Sequence, residues 1–193
     1  EEAHNRIVNI DPAPGFAAVA PVFPDSTGQF NGFYPASLIN PDRNNFAPRI
    51  GFAWKPFGNT TVIRGGYGIN YNIGQYRQMI TNLAYQPPFS FTQTNIASAA
   101  SSLTLQNGFP TPDQGTLTNN YGVDKNYRLG YVQIWNLNVQ HELFHNTILN
   151  VGYSGSKGTR LDIVRAPNRG PDGLLLADVQ PFLWESSEGS SIL

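Results

Sequence analysis

From Arg49 to Asn72 the chain reads RIGFAWKPFGNTTVIRGGYGINYN. Large apolar side chains alternate with small or polar ones, the alternation breaks at Lys55–Asn59, and then it resumes. Side chains of a strand point to opposite faces with a period of two, so this writing predicts a two-stranded hairpin. Four segments carry the period, at about residues 46–56, 60–72, 129–143 and 147–157. Each supplies the ~9–11 residues that a tilted strand needs to cross a bilayer. The turns Pro56-Phe57-Gly58-Asn59 and Phe144-His145-Asn146 join them in pairs. Helical periodicity is nearly absent, and Gly and Pro punctuate the chain too often for helices of ordinary length.

The two hairpins repeat one unit loosely. Phe-x-Asn-Thr opens each returning strand, at Phe57–Thr60 and Phe144–Thr147, and a Gly-Tyr-x-Gly or Gly-Tyr-Gly follows. Parity sorts the first hairpin into one face with Ile50, Phe52, Trp54, Ile63, Tyr67, Ile69 and Tyr71. The opposite face holds Arg49, Gly51, Ala53, Lys55, Arg64, Gly66, Gly68, Asn70 and Asn72. In the second hairpin, Trp135, Leu137, Val139, Leu149, Val151 and Tyr153 oppose Asn136, Asn138, Gln140, Glu142, Asn150, Ser154 and Ser156. Val62, Gln133, Ile134 and Ile148 break the pattern.

An apolar face of this kind suits the core of a soluble β-sandwich or the lipid side of a barrel. Three features favour the barrel. Turns within hairpins take about 3–5 residues, whereas residues 73–128 form a 56-residue connection, and a structureless link of that size argues against a compact soluble domain. Short turns at one end and long loops at the other are usual in outer-membrane barrels. Trp54 lies beside a turn and Tyr71, Tyr127 and Tyr131 lie towards the loop ends, where amphipathic rings suit a membrane interface. The polar face is rich in Asn rather than Lys and Glu, which suits a wet lumen better than a soluble exterior.

Composition narrows the classes. Of 193 residues, 40% are hydrophobic and only 13% are charged, about half the charged share usual for soluble domains. The formal net charge of −1 argues against a nucleic-acid partner, which draws on a basic patch or stripe. The absence of cysteine removes disulfides, thiolate metal sites and a Cys nucleophile. No stretch reaches the ~18 apolar residues of a membrane helix, and the first residues do not form a signal peptide. The abrupt ends suggest a piece cut from a longer protein.

Longer motifs narrow the reading to a family. NNFAPRIGFAW at Asn44–Trp54 and TVIRGGYGI at Thr61–Ile69 closely resemble the Oar-like subgroup of TonB-dependent outer-membrane receptors. QIWNLNVQHEL at Gln133–Leu143 and NVGYSGSKGTRL at Asn150–Leu161 look like its next strand pair, and LWESSEGSS at Leu183–Ser191 resembles the start of a further strand. The resemblance implies a large barrel of about 22 strands with a plug in its lumen, and often a carboxypeptidase-regulatory-like domain ahead of it. It also implies an inner-membrane energising complex reached through a short N-terminal segment. None of those N-terminal parts is recognisable in this chain.

Candidate chemistry is sparse. Gly152-Tyr153-Ser154-Gly155-Ser156 narrowly misses the G-x-S-x-G nucleophile elbow, and no helix pattern follows it. Gly65-Gly66-Tyr67-Gly68 lies within a strand pattern and is not a phosphate loop; small residues permitting close strand approach are the better account. His141 and His145 have the i, i+4 spacing of helical zinc sites, which does not converge on a strand and turn. Asn59-Thr60-Thr61 matches a glycosylation sequon by chance. In the long connection, Tyr85-Gln86-Pro87-Pro88-Phe89-Ser90-Phe91 combines rings and Pro and could either contact a ligand or pack the loop.

The resulting expectation is an all-β fold of antiparallel up-and-down hairpins from a transmembrane barrel, present as an incomplete, open sheet. Residues 1–193 form one partial barrel domain, with long extracellular loops at about 73–128 and 158–182 and with plug and N-terminal domains absent. The expected function is uptake of an unidentified ligand across the bacterial outer membrane; the alternatives are a substrate-free structural or adhesive barrel and a soluble carbohydrate-binding β-sandwich. The expected partners are outer-membrane lipid, the rest of the barrel and plug, and a TonB-type energising complex through the missing N-terminal parts. No enzymatic activity, cofactor, catalytic residue or metal ligand is expected, and no ligand-binding residue can be named.

Overall fold

The computed structural model describes residues 4–90, 104, 120–144, 146–167 and 182–192. The chain divides into two compact units, one from residues 1–40, 76–126 and 164–185 and the other from 41–75, 127–163 and 186–193.

The second unit is built on the predicted hairpins. Strand β5 (Arg49–Trp54) pairs antiparallel with β6 (Thr61–Tyr71), and β8 (Tyr131–Phe144) pairs antiparallel with both β6 and β9 (Thr147–Arg165). The turns need a left-handed residue, supplied by Gly58 at φ 62° and Asn146 at φ 66°, the residue types that reach αL at least cost. A register shift between Glu142 and Phe144 places one extra residue on β8 beside the turn, a bulge of the kind that adds local twist. The sheet is open, as expected of a piece of barrel. Strand β9 runs to Arg165, eight residues past the predicted end at 157, so the loop expected from 158 begins as strand.

The first unit departs from the expected loop. Residues 73–128 contain helix α1 (Gly74–Ala84) and strand β7 (Asn120–Val123). No Pro interrupts the helix, and Met79 and Leu83, four apart and therefore on one face, are 0% and 1% exposed. The scarcity of helix signals elsewhere hid this segment. Four short strands precede the hairpins: β1 (Asn9–Pro12) pairs antiparallel with β2 (Val19–Val22), and β3 (Ser26–Thr27) with β4 (Phe33–Tyr34). Strand β10 (Phe182–Ile192) begins in this unit, where Phe182–Glu185 pair in parallel with Asn120–Val123 of β7. That pair is parallel, whereas β1–β2, β3–β4, β5–β6, β6–β8 and β8–β9 are antiparallel.

The core sits in the first unit. Apart from Tyr127 and Leu129, every buried hydrophobic residue among those described belongs to it, including Val8, Ile10, Val22, Tyr34, Leu38, Val123 and Trp184. Ile10, Phe182 and Trp184 form a cluster on which Phe16 and Val19 pack. The Phe16 ring meets Trp184 edge-on at 5.4 Å, a favourable aromatic geometry.

Candidate functional site

Register decides which side chains share a face of the hairpin sheet. Ile50 lies opposite Tyr67 and Trp54 opposite Ile63; Ile63 is next to Val139, and Val139 to Val151. Tyr67 lies beside Trp135, and Leu137 beside Tyr153. All predicted apolar positions therefore fall on one side. This face is not covered by protein: Ile50 is 68% exposed, Trp54 61%, Val151 59% and Tyr153 65%. A soluble sandwich would bury such a face against a second sheet.

The opposite face is polar and lined with small residues. Arg64 sits between Ala53 and Asn138, and Gly66 between Gly51 and Asn136. Asn138 neighbours Gly152, Asn136 neighbours Ser154, and Gln140 neighbours Asn150. The Asn138 Nδ2 donates to Asn150 Oδ1 at 2.6 Å, and the Arg49 guanidinium donates to Asn70 Oδ1 at 2.9 Å. The four exceptions keep their parity: Val62, Ile134 and Ile148 lie on the polar face, whereas Gln133 lies on the apolar one. There Gln133 Oε1 accepts the Tyr67 hydroxyl at 2.8 Å, which satisfies part of its amide.

Glycines on both faces sit opposite large register partners. The Phe52 ring covers Gly65 and the Trp135 ring covers Gly155; on the polar face Asn136 lies over Gly66 and Asn138 over Gly152. Gly65-Gly66-Tyr67-Gly68 is thus strand packing, with Gly65 and Gly66 accepting neighbours on opposite sides. Gly152–Ser156 likewise lies inside β9, not at a strand–helix elbow. His141 Nδ1 lies 2.8 Å from Thr61 Oγ1, its register partner. His145 is outside the described residues.

One sequence assignment needs correction. Tyr127, placed among the loop-end rings, is 1% exposed, and its hydroxyl donates to Asp162; it is a packed core residue and not an interface ring. Tyr71 and Tyr131 do pair, with ring centroids 5.4 Å apart. Within Tyr85–Phe91, Gln86 is 3% exposed and structural, and Phe89 meets Phe23 edge-on at 6.1 Å. Phe91 is outside the described residues.

The chain matches the family described as "Outer membrane beta barrel domain" over residues 1–188. It belongs to that family. The outer-membrane barrel domain accordingly resides in the bacterial outer membrane, and the soluble β-sandwich alternative is set aside by the family match together with the uncovered apolar face. No curated protein and no solved structure matches the chain.

Sequence reasoning missed the polar residues that hold the first unit. Gln86 Nε2 donates to Val8 C=O at 2.7 Å and to Tyr121 C=O at 2.9 Å, while its Oε1 accepts the Tyr121 N–H at 2.8 Å. Asn9 grips Val123 in the same manner. Together these amides satisfy alternate backbone groups along one edge of β7, a place where a strand would otherwise pair. Asp11, 0% exposed, accepts the Phe30 N–H at 2.6 Å, the Asn31 side-chain amide at 2.5 Å and the Tyr34 hydroxyl at 2.9 Å. Burial pushes its carboxyl up, but these bonds outweigh burial and hold it below the ordinary value. Burial first, and the Asp11 bond and charge next, push the Tyr34 hydroxyl well up. A side chain at Gly28 would strike the Asp11 carboxylate, so only glycine fits there.

Proposed function

We propose that this domain is a section of the barrel of an Oar-like, TonB-dependent receptor that takes up a ligand across the outer membrane. The observation carrying the reading is the two-faced hairpin sheet, apolar and uncovered on one side, Asn- and Gly-rich on the other. The motifs at Asn44–Trp54, Thr61–Ile69, Gln133–Leu143 and Asn150–Leu161 narrow the barrel to this subgroup. In this reading lipid covers the face of Ile50, Trp54, Leu137 and Val151, because an uncovered apolar patch of this extent marks a surface with a partner. The face of Arg64, Gly66, Asn136 and Asn138 lines the lumen, where its amides remain wet. Pro56–Asn59 and Phe144–Asn146 are the periplasmic turns, which leaves the loops at the extracellular side. The protein performs no catalysis in this scheme; its chain supplies wall, and energy enters through N-terminal parts.

The test uses the intact protein purified from outer membranes and the periplasmic domain of the energising protein. Saturable binding between the two supports energised uptake. An intact barrel that never binds it points to the structural or adhesive alternative.

A further inference from the structure

Strand β7 leads into Asp124-Lys125-Asn126, and these three residues form one wall of a polar pocket of about 220 Å³. Asn31 and Asn40 form another, and Pro12, Tyr34 and Trp184 complete the lining. All of them belong to the first unit. Hydrogen bonds fix these walls. Asn40 Nδ2 donates to Asn126 Oδ1 at 2.8 Å, and the Asn40 N–H donates to the Lys125 C=O at 2.8 Å. The Asn126 N–H donates to Asp124 Oδ1 at 2.8 Å. Lys125 Nζ donates to the Asn31 C=O at 2.8 Å and stands 4.8 Å from the centre of the Tyr34 ring, a cation–π distance. Tyr34 is in turn held by its bond to Asp11. Walls ordered in this way spare a ligand the cost of ordering them.

The polar groups left over define the occupant. Asp124 Oδ2 and Asn40 Oδ1 keep acceptor capacity, while Asn126 Nδ2 and the Lys125 ammonium keep N–H groups without an acceptor among the described residues. Donors and acceptors are thus mixed, and the adjacent Asp124 and Lys125 cancel in charge. An anion would meet the carboxylate and a cation the ammonium, each a repulsion. A zwitterion needs both charges free, but that of Lys125 is already shared with a carbonyl and a ring. A hydroxyl both donates and accepts, so it suits every group left over, and its bonds to the two charged groups are the stronger kind. Water would serve those groups equally well, but Pro12 and the edge of Trp184 add apolar wall that only a carbon skeleton exploits. A hydroxylated carbon ring meets both demands. The pocket is smaller than the ~300–1,000 Å³ of drug-sized sites and admits one such ring. We propose that this pocket binds one neutral pyranose sugar ring. The inference goes beyond the uptake reading and does not depend on it.

Saturation-transfer NMR on the intact protein in lipid nanodiscs, free of detergents with sugar headgroups, tests it. The probes are D-glucose, D-galactose, D-mannose and N-acetyl-D-glucosamine, each as the free sugar and as its methyl glycoside. Saturable transfer to ring C–H protons is expected for at least one of them, and neither glycine nor inorganic phosphate should displace it. Asn126→Ala, which removes a free donor, and Lys125→Met, which keeps the stem without the ammonium, each weaken binding about tenfold. Ile80→Gln, at an exposed helix position outside the pocket, leaves it unchanged. If Asn126→Ala fails to assemble, Lys125→Met decides. A methyl glycoside that binds as well as the free sugar assigns the site to the terminal residue of a glycan; binding of the free sugar alone assigns it to a monosaccharide. Absence of saturable transfer to all four sugars overturns the proposal. Displacement of the sugar by glycine or phosphate, or sugar binding that Lys125→Met leaves intact, overturns it equally.

Discussion

The Trp135 ring lies across Gly155, its register partner on the next strand: a Cβ placed at Gly155 would stand 2.7 Å from the indole. Phe52 treats Gly65 in the same way, and in the first unit Trp184 covers Gly122. Glycine weakens a strand by itself, and an aromatic ring folded over it restores apolar contact, a device known from β-sheet design as aromatic rescue. Gly155→Ala and Gly65→Ala should each destabilise the barrel by about 1–3 kcal/mol through overpacking. Gly51→Ala, where the nearest atom is 3.6 Å away, should be neutral or slightly stabilising. Urea unfolding of the reconstituted protein reads all three.

Arginine substitution distinguishes the faces. At Ile63 or Leu137 it should block assembly, because a lipid-facing Arg costs ~2–4 kcal/mol near the midplane. Gly66→Arg and Asn138→Arg, on the polar face, should assemble far better. Gel shifts of folded against heat-unfolded protein in outer-membrane preparations measure the difference; equal losses in both pairs would sink the lipid assignment.

The three tryptophans report lipid independently. Trp54 is 61% exposed on the apolar face, Trp135 lies on that same face, and Trp184 is 6% exposed in the other unit. In variants of the membrane-inserted protein retaining one tryptophan at a time, brominated lipids should quench Trp54 and Trp135 strongly and Trp184 little. Comparable quenching of all three would contradict this assignment.

Removing either β7 amide should loosen the first unit. Asn9→Leu leaves the Val123 N–H and C=O without the bonds at 2.9 Å each, and Gln86→Leu does the same to Tyr121. Unpaired buried groups cost about 1–3 kcal/mol each. Hydrogen exchange at Tyr121 and Val123 should accelerate in the matching variant, with the hairpin amides unaffected.

Asp11 makes the first unit acid-sensitive. Its folded pKa lies below the model-compound value of 3.8, so its carboxylate stabilises the fold above that pH. The contribution fades as pH falls through 3.8 towards the depressed folded value, where the proton binds. Asp11→Asn should therefore be less stable than wild type at neutral pH, with the gap narrowing below pH 3.8. Protease sensitivity of residues 4–40 across that range gives the measurement, and a pH-independent gap would remove the carboxylate from the account.

Alternation alone determined the hairpins, their turns and both face sets. The period of two belongs to the extended backbone, and one residue of slip would invert every side chain. The exceptions Val62, Gln133, Ile134 and Ile148 were equally legible, since parity places them whatever their polarity. Partnerships across long separations were not. Asn9 and Val123 are 114 residues apart in the chain, and the strands they join are four residues each, too short for a period to show. An asparagine in a loop and one gripping a buried strand look identical in sequence; only packing decides whether the amide faces water or backbone. Tyr127 turned from an expected interface ring into a core residue for the same reason. The hairpins carried their faces in local order, and the first unit acquired its core only when distant segments met.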